Sequence, residues 1–487
     1  MNANLLLFII IFLEGYAVLS TELLAIRLII PFVGSATDTV SIIIAAVLMP
    51  LAFGYYAGGR FKPGLQKNGS FITLRNKLLL NLSFSAAVLS VGLSHAILKV
   101  FFESITNIFG VKDYLVETTL YSLIFIVLPI FLLGQTVPLI SNYFREARLS
   151  HFAGKILFFS TLGSFMGAVF CTLILMPHIG VQNAASLTIA CLLALTFLMA
   201  RKKTSKYVFS AGIALVFSLL VNSPYIMSRL HIVSNNQYNT IEVKSSIAGD
   251  IRYMMINSTH ASALYDREED SRGAVFGYVR FLEENFINPF SERSSHPIDI
   301  LVIGAGGFTA GLDDNKNNYT FVDIDPDLKD VAERDFLKQP LGPNKKFIAN
   351  EARAFLAHNQ HSFDLIFLDT YQDKSGVPMS LLTREYFQQI RRALKPGGAM
   401  VANIVSSPNF STVYAKRVDN TIRSVFPHFN RAMVNPYDGF LRAPDYWRNV
   451  VYSAYNDPEP EDGIYTDDLN SAHLDRRKEA AQKTGTE

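Results

Sequence analysis

The sequence predicts two structural classes in one chain, a multi-span α-helical membrane domain followed by an α/β domain. Two observations support this prediction. Apolar residues are concentrated in the first 230 of the 487 positions, where they form segments of about 20 residues, long enough to cross a membrane. From residue 299 onward, short apolar strands alternate with helical segments, a pattern typical of a parallel sheet with helices on both faces.

Composition argues against several kinds of partner. The formal charge is only +2 and charged residues make up 18% of the chain, so we expect no nucleic-acid partner. Cys171 and Cys191 are the only cysteines, which leaves no zinc-binding spacing and no disulfide framework, and we expect no metal. The N-terminus lacks the basic region of a cleavable signal peptide.

Seven segments of the first half are long and apolar enough to be candidate spans. The loops at 60–77, 141–155 and 201–206 carry five, three and four Lys or Arg residues, and the alternate loops carry almost none. The positive-inside rule places these basic loops in the cytoplasm, and we expect a multi-pass protein of the cell membrane in contact with the lipid bilayer. The predicted spans are about 4–30, 38–59, 78–100, 115–140, 156–176, 184–200 and 207–223.

The side of the membrane on which the soluble half lies stays open. Seven spans with a cytoplasmic N-terminus place that half outside. The segment 207–223 is the shortest of the seven and ends in a polar run, so it is the span most in doubt. If it does not cross, the soluble half lies in the cytoplasm, which is the side that we favour.

The first predicted span contains three ionisable residues, Glu14, Glu22 and Arg27. Charged groups inside a membrane are costly and usually face a partner or a cavity. One interpretation is a polar site inside the helical bundle, and the other is a buried Glu–Arg pair that only fixes helix packing. Small residues in "TLGSFMGAVF" predict close contact between helices.

We divide the chain at three positions: residues 1–223 as the membrane domain, 224–298 as a linker and small β subdomain, and 299–455 as the α/β domain. Residues 456–487 are charged and contain proline, so we expect a disordered tail. In the small subdomain, the alternating runs "YNTIEVKSS" and "DIRYMMINS" are separated by "IAGD", which predicts a β-hairpin.

The α/β domain carries a pattern typical of nucleoside binding. Gly304, Gly306 and Gly307 follow the first strand, "DILVIG", and glycine there lets the backbone approach a ligand. Asp323 ends the second strand, 19 residues after Gly304. At that position an acid can accept the hydroxyls of a ribose. The sequence therefore predicts a Rossmann-like nucleoside-binding domain.

Polar residues also follow the next two strands. Asn350 and Glu351 close the third strand, where side chains can contact an adenine edge, although Glu351 could equally be a solvated loop acid. Asp369 ends the fourth strand and Asp373 lies in the loop after it. Because ligands of such sheets bind at the carboxyl ends of the strands, Asp369 is a candidate for chemistry, with a helix cap or a solvent-facing acid as the alternative.

The segment from about 235 to 425 resembles the spermidine synthase family, the polyamine aminopropyltransferases. The whole chain is similar to membrane-fused relatives of that family. The resemblance is carried by "YNTIEV", by "VDIDP" and above all by "FDLIFLDTYQDKSGVPMSLLTREYF", which is similar to the family's active-site loop. It implies an α/β fold of the S-adenosylmethionine methyltransferase type.

The resemblance also implies a reaction, transfer of a 3-aminopropyl group from decarboxylated S-adenosylmethionine to an amine such as putrescine. Methylthioadenosine is the by-product. Asp369 matches the family's proton acceptor, Tyr238 matches a tyrosine that holds the acceptor amine, and Asp323 matches the ribose ligand. Tyr278 and Tyr371 lie in the matching helix and loop and are further candidates for substrate contact.

The chain departs from the family pattern at three positions. An aspartate that grips the aminopropyl amine is replaced by Gly307, and the second acid of the loop, Asp373, lies four residues after Asp369 instead of three. The histidine expected after Tyr278 is absent, and His260 is a candidate to replace it.

These departures leave three functions open. The first is an aminopropyltransferase on a membrane anchor, and the second is a methyltransferase that uses intact S-adenosylmethionine. The third is a non-catalytic module that binds a nucleoside or polyamine and is coupled to the membrane domain. A small-molecule amine is the expected partner in the first case, and a homodimer is left open.

Overall fold

The computed structural model describes residues 3–62, 64–65, 71–142, 149–201, 204–266, 274–371, 376–434 and 448–455, together with residues 472 and 476. The chain divides into two compact units, Met1–Gln237 and Tyr238–Glu487. The predicted disordered tail lies outside the described residues, apart from residues 472 and 476, as does part of each of the three basic loops. The cytoplasmic placement of those loops stays a prediction.

The first unit is mainly helical. Because α1 has 31 residues, it extends about 45 Å, more than the roughly 30 Å of a membrane's hydrocarbon core. The helices are α1 (Ala3–Val33), α2 (Thr37–Gly59), α3 (Leu74–Gly92), α4 (His95–Ile108), α5 (Tyr114–Tyr121), α6 (Leu128–Gly134), α7 (Thr136–Ser141), α8 (Leu149–Phe170), α9 (Met176–Met199), α10 (Ser205–Val221) and α11 (Pro224–Arg229), and the short strands are β1 (Gly64–Leu65), β2 (Phe71–Ile72) and β3 (Ile232–Asn235).

By length and composition, the described residues contain five helices suited to cross a membrane, or six if the bent pair α3 and α4 counts as one span. The sequence predicts seven. The difference arises because two predicted spans belong to one helical run, Ala153–Met199, which is broken at Gly180 by a φ of 79°. The predicted span 78–100 falls on α3 and α4, which meet at 67°.

Glycines allow close packing between α1 and α8, as the small residues of "TLGSFMGAVF" predict. A Cβ atom at Gly163 would lie 2.0 Å from the Phe12 carbonyl oxygen, and one at Gly167 would lie 2.4 Å from that of Tyr16. Neither distance is compatible with a side chain, so the two backbones touch directly.

The second unit begins with a small antiparallel sheet. Its strands are β4 (Thr240–Ser245), β5 (Ile251–Ile256) and β6 (Thr259–Tyr265). β4 pairs with β5, as the predicted hairpin requires, and β5 pairs with β6. The sequence did not predict β6, because its run "THASALY" is too mixed in polarity to mark a strand.

A seven-stranded sheet forms the centre of this unit, in the order β12-β13-β11-β10-β7-β8-β9. β7, β8, β9, β10 and β11 pair in parallel, and β12 and β13 are antiparallel to their neighbours. The parallel sheet predicted from the sequence is confirmed for these five strands, and the two antiparallel strands extend it at one edge. The Rossmann-like fold of the methyltransferase type is also confirmed. The strands are β7 (Asp299–Ile303), β8 (Asn318–Asp323), β9 (Lys345–Ala349), β10 (Phe363–Leu368), β11 (Leu394–Ser406), β12 (His428–Val434) and β13 (Arg448–Tyr455).

Amphipathic helices connect these strands. In α16, Thr383 caps the first turn by accepting a hydrogen bond from the Tyr386 amide, and Tyr386, Phe387 and Ile390 are buried at helical spacing. The helices of this unit are α12 (Gly277–Leu282), α13 (Asn288–Arg293), α14 (Leu328–Val331), α15 (Ala352–Ala357), α16 (Arg384–Ala393) and α17 (Val413–Arg423), with wider π-helical turns after α12 and α14.

Candidate functional site

The turn after β7 allows the ends of β7 and β10 to lie in contact. Gly304 has a φ of +88°, and a Cβ atom there would lie 2.3 Å from the carbonyl oxygen of Asp369. Glycine is therefore required at this position for both conformation and space. The Asp369 amide in turn donates a hydrogen bond of 2.9 Å to the Ile303 carbonyl, so the ends of β7 and β10 are locked together.

Asp323, at the end of β8, faces the same turn. Its Oδ2 accepts a hydrogen bond of 3.1 Å from the Ala305 amide, and its Oδ1 accepts one of 3.1 Å from the Asp325 amide. Burial raises the pKa of Asp323 to about 6, against the opposing effect of these amides. The carboxylate is thus oriented by the backbone, as a ribose ligand needs to be.

Asp369 follows β10 and is half-buried. Its Oδ1 accepts a hydrogen bond of 2.9 Å from Nδ2 of Asn403 on β11, and the Tyr278 hydroxyl also bonds to its carboxylate. Burial raises the pKa of Asp369 to about 6, and the two hydrogen bonds oppose this rise. A carboxylate with such a pKa is ionised at neutral pH and readily accepts a proton.

Tyr278 lies in the first turn of α12 and is buried. Its ring stacks between Phe276 and Phe367, with centroid distances of 5.7 and 6.3 Å. This packing fixes the hydroxyl beside Asp369. Tyr278 therefore orients the candidate base in addition to its predicted contact with substrate.

Tyr371, in the loop after β10, is hydrogen-bonded to β11, and its contact with substrate stays a prediction. Its hydroxyl donates a hydrogen bond of 3.1 Å to the Asn403 carbonyl and accepts one of 2.6 Å from the Val405 amide. The pKa of Tyr371 is raised, first by burial and then by the charge of Asp369. Both bonds tie the loop after β10 to β11.

The residues that close β9 lie at the next strand end. Asn350 is exposed, and its amide donates a hydrogen bond of 2.8 Å to the Asp323 carbonyl. The Glu351 carboxylate accepts a hydrogen bond of 2.8 Å from the Ala354 amide and so caps α15. Adenine contact by these two residues stays a prediction.

At Gly307 the structure explains the departure from the family pattern. A Cβ atom there would lie 2.4 Å from Cε1 of Phe336 and 2.8 Å from Cβ of Ser262. The Gly307 amide donates a hydrogen bond of 2.8 Å to the Ser262 hydroxyl. Gly306, with a φ of +50°, lies beside the same serine. No acid fits at position 307 unless Phe336 moves.

The remaining predicted substrate contacts are Tyr238, His260 and Asp373. Tyr238 is half-buried just before β4, and His260 is exposed on β6, with its ring 5.2 Å from that of Tyr253. Partial burial and nearby Lys244 lower the pKa of His260, which favours its uncharged form. Asp373 lies outside the described residues.

Sequence reasoning missed several residues of the site. Asn403 is the one polar residue inside "AMVANIV", and that interruption of an apolar strand was the available signal. Asp325, fully buried, accepts a hydrogen bond of 2.9 Å from Asn239, which ties the small sheet to the end of β8. Ser262 and Phe336 carry no sequence signal. Among the described residues, no group of three or more His, Cys, Asp or Glu residues could hold a metal.

Glycine at the first turn and an acid after each flanking strand are typical of a nucleoside-binding α/β domain. Residues 287–437 match the family model of the spermine/spermidine synthase domain. The predicted resemblance to spermidine synthases is therefore confirmed for this part of the chain.

The known proteins most similar in sequence include polyamine aminopropyltransferases. The chain is 32% identical to the one from Vibrio vulnificus over 173 residues, which cover 34% of this chain and 54% of that protein. It is 26% identical to polyamine aminopropyltransferase 2 from Hyperthermus butylicus over 201 residues, which cover 39% and 64% respectively. The chain thus spans between half and two thirds of the length of these relatives.

Among solved structures, the chain is similar to a probable spermidine synthase from Corynebacterium glutamicum. The identity is 21% and the TM-score is 0.39, with coverage of 46% of this chain and 79% of that chain.

Proposed function

We propose that the protein is a membrane-bound aminopropyltransferase. It transfers the 3-aminopropyl group of decarboxylated S-adenosylmethionine to an amine such as putrescine. The amine nitrogen attacks the carbon next to the sulfonium, the carbon–sulfur bond breaks, and methylthioadenosine leaves. The attacking amine loses one proton. The observation that carries the proposal is the Asp369 carboxylate, held by Asn403 and Tyr278 at the edge of the sheet where such ligands bind.

Asp369 acts as the proton acceptor. With a pKa raised to about 6 by burial, it is ionised at pH 7 and is a stronger base than an exposed aspartate. Its negative charge also attracts the cationic amine. Asn403 and Tyr278 occupy part of its hydrogen-bonding capacity and leave the remaining lone pairs to the substrate.

Asp323 holds the nucleoside. It lies two strands away from Asp369, because β7 separates β8 from β10, and this places the two strand ends about 10 Å apart. That separation suits a co-substrate whose ribose binds Asp323 and whose sulfonium side chain reaches across the Gly304 turn. The ribose hydroxyls would donate to the carboxylate.

Membrane attachment rests on the first unit. Its outer surface keeps large apolar side chains exposed, among them Phe53, Phe158 and Phe209, which are 59%, 60% and 73% exposed. An apolar surface of this kind is unfavourable in water and suits lipid. The five or six candidate spans agree with this placement.

A methyltransferase that uses intact S-adenosylmethionine is the second candidate, and Gly307 favours it. Position 307 has no room for an acid, so the turn offers no carboxylate to a terminal ammonium group. A turn without an acid also does not repel the methionine carboxylate of the intact molecule.

Calorimetry on the purified full-length protein separates the candidates. Methylthioadenosine, S-adenosylmethionine and its decarboxylated form are titrated in turn. Tighter binding of the decarboxylated form, together with methylthioadenosine release when putrescine is added, would support aminopropyl transfer. Tighter binding of intact S-adenosylmethionine would favour methyl transfer, and a lack of binding by all three would contradict both.

A further inference from the structure

The first unit contains a buried carboxyl group that the proposed reaction does not use. Glu14 lies on α1 and is only 1% exposed. Among the residues that the structure describes, neither of its carboxylate oxygens has a hydrogen-bond partner. A carboxylate removed from water in this way requires a positive charge or a proton beside it.

Arg27 does not supply that charge, although the sequence allowed such a pair. Thirteen residues along one helix separate the two side chains by about 20 Å. Arg27 instead donates hydrogen bonds of 2.7 Å to the Asn236 carbonyl and 3.3 Å to Oδ1 of Asn235. The predicted Glu–Arg packing pair therefore does not involve Glu14.

The surroundings of Glu14 come from three helices. Gly15, the next residue, packs so closely on α8 that a Cβ atom would lie 2.4 Å from the Ser160 carbonyl oxygen. Tyr55 of α2 is within electrostatic range of Glu14, and its hydroxyl is hydrogen-bonded to the Ser160 side chain. Glu14, Tyr55 and Ser160 thus lie in the same region, where α1, α2 and α8 meet.

We propose that this cluster binds a protonated primary amine, with Glu14 as its counter-ion. A primary ammonium group has three N–H donors, and the Glu14, Tyr55 and Ser160 oxygens are three acceptors. A single carboxylate provides too few oxygen ligands for a divalent metal ion. Tyr55 adds an aromatic side chain of a kind that suits an organic cation, and it is 39% exposed.

The site is independent of the reaction proposed for the second unit. Its ligand is an alkylammonium ion held between helices, and it needs neither the nucleoside nor Asp369. A membrane unit with such a site takes part in amine binding as well as in anchoring.

Covalent capture tests the site without any mutation. The full-length protein in detergent is incubated with hexylamine and a carbodiimide, which joins a carboxyl group to a neighbouring amine as an amide and leaves as a urea. Mass spectrometry then compares Glu14 with Glu22, a half-buried acid of the same helix. We expect the hexylamide to saturate at Glu14 at amine concentrations that barely modify Glu22. Modification of Glu14 that is absent, or that only parallels Glu22, would overturn the proposal.

A matched pair of variants gives a second test. Hexylamine binding is measured by calorimetry in the Asp369→Asn background, so that an acceptor site in the second unit does not contribute. Glu14→Gln is expected to weaken binding about tenfold or more, because a charge-assisted contact is lost, and Glu22→Gln is expected to change it less than about twofold. Hexanol, the neutral analogue, should not compete. Equal effects of the two substitutions, or competition by hexanol, would contradict the proposal.

Discussion

Asn403 on β11 donates a hydrogen bond of 2.9 Å to Oδ1 of Asp369 on β10. The donor is buried, and it stabilises the ionised form of the carboxylate against the effect of burial. The side-chain amide of Asn403 thus keeps the pKa of the candidate base lower than burial alone would make it.

Replacement of Asn403 should therefore move the pH profile of the reaction. In Asn403→Ala the Asp369 pKa is expected to rise above about 6, because one of the two bonds that lower it is lost. The acid limb of kcat/KM against pH should move upward by the same amount. Asn430→Ala, at an exposed position on β12, is the control, and an unshifted acid limb in Asn403→Ala would rule out this role.

Asp369→Asn should lower the rate and leave nucleoside binding intact. Loss of a general base costs about 100-fold to 10,000-fold in kcat, while methylthioadenosine should bind within about twofold of the parent affinity because Asp323 is unchanged. Stopped assays of methylthioadenosine release and calorimetry provide the two readouts. Asp330→Asn, an exposed acid of α14, is the control. A rate close to that of the parent would exclude Asp369 as the base.

Asp323→Ala, in contrast to Asp369→Asn, should weaken nucleoside binding. The Ala305 and Asp325 amides lose their acceptor, and the ribose loses a charged partner. A charge-assisted hydrogen bond of this kind contributes about 10-fold to 150-fold in affinity. Calorimetry with methylthioadenosine measures the loss, with Asp330→Ala as the control, and equal affinity in Asp323→Ala would remove the ribose assignment.

Burial of Asp369 should also affect stability. Its pKa is about 6 in the folded chain, against 3.8 for an exposed aspartate. The folded chain therefore favours the protonated form of Asp369. The stability that this protonation contributes is complete below about pH 4 and is lost as the pH rises through about 6. As the pH rises from about 4 to about 6, the free energy of unfolding of Asp369→Asn should therefore increase relative to that of the parent. Urea unfolding at a series of pH values measures this difference. A constant difference between the two proteins across that range would contradict the assignment.

Gly307→Ala should destabilise the second unit by about 1–3 kcal/mol, the usual cost of overpacking. The added Cβ atom meets the Phe336 ring. Because the two positions share one space, Phe336→Ala should relieve part of this cost, and the double variant should lose less stability than the two single variants together. Urea unfolding of all four proteins measures the coupling. Strict additivity would show that Phe336 does not fill the space at position 307.

The strand ends of the site were predictable because glycines and acids stand directly after short apolar runs. Gly304, Asp323 and Asp369 each lie where the sequence places them. The partners that hold them were not predictable in the same way. Asn403 and Ser262 reach the site through strand pairing and packing between distant segments, and single-residue patterns do not encode those contacts.

In the first unit, hydropathy identified the apolar segments and did not determine how many separate helices they form. The run Ala153–Met199 is long and apolar enough to span a membrane, and its division depends on the backbone conformation of one residue, Gly180. The directions of the edge strands β12 and β13 were also not predicted, because alternation of strands and helices does not reveal strand direction.

The contact between Gly304 and the Asp369 carbonyl links two steps that are usually considered separately. In the proposed reaction, the turn that would receive the nucleoside and the residue that would receive the proton share one backbone junction. A displacement of the turn by the co-substrate would then also displace Asp369. Binding of the nucleoside at the Gly304 turn could therefore adjust the position of Asp369. This would favour an ordered reaction in which the nucleoside binds before the amine.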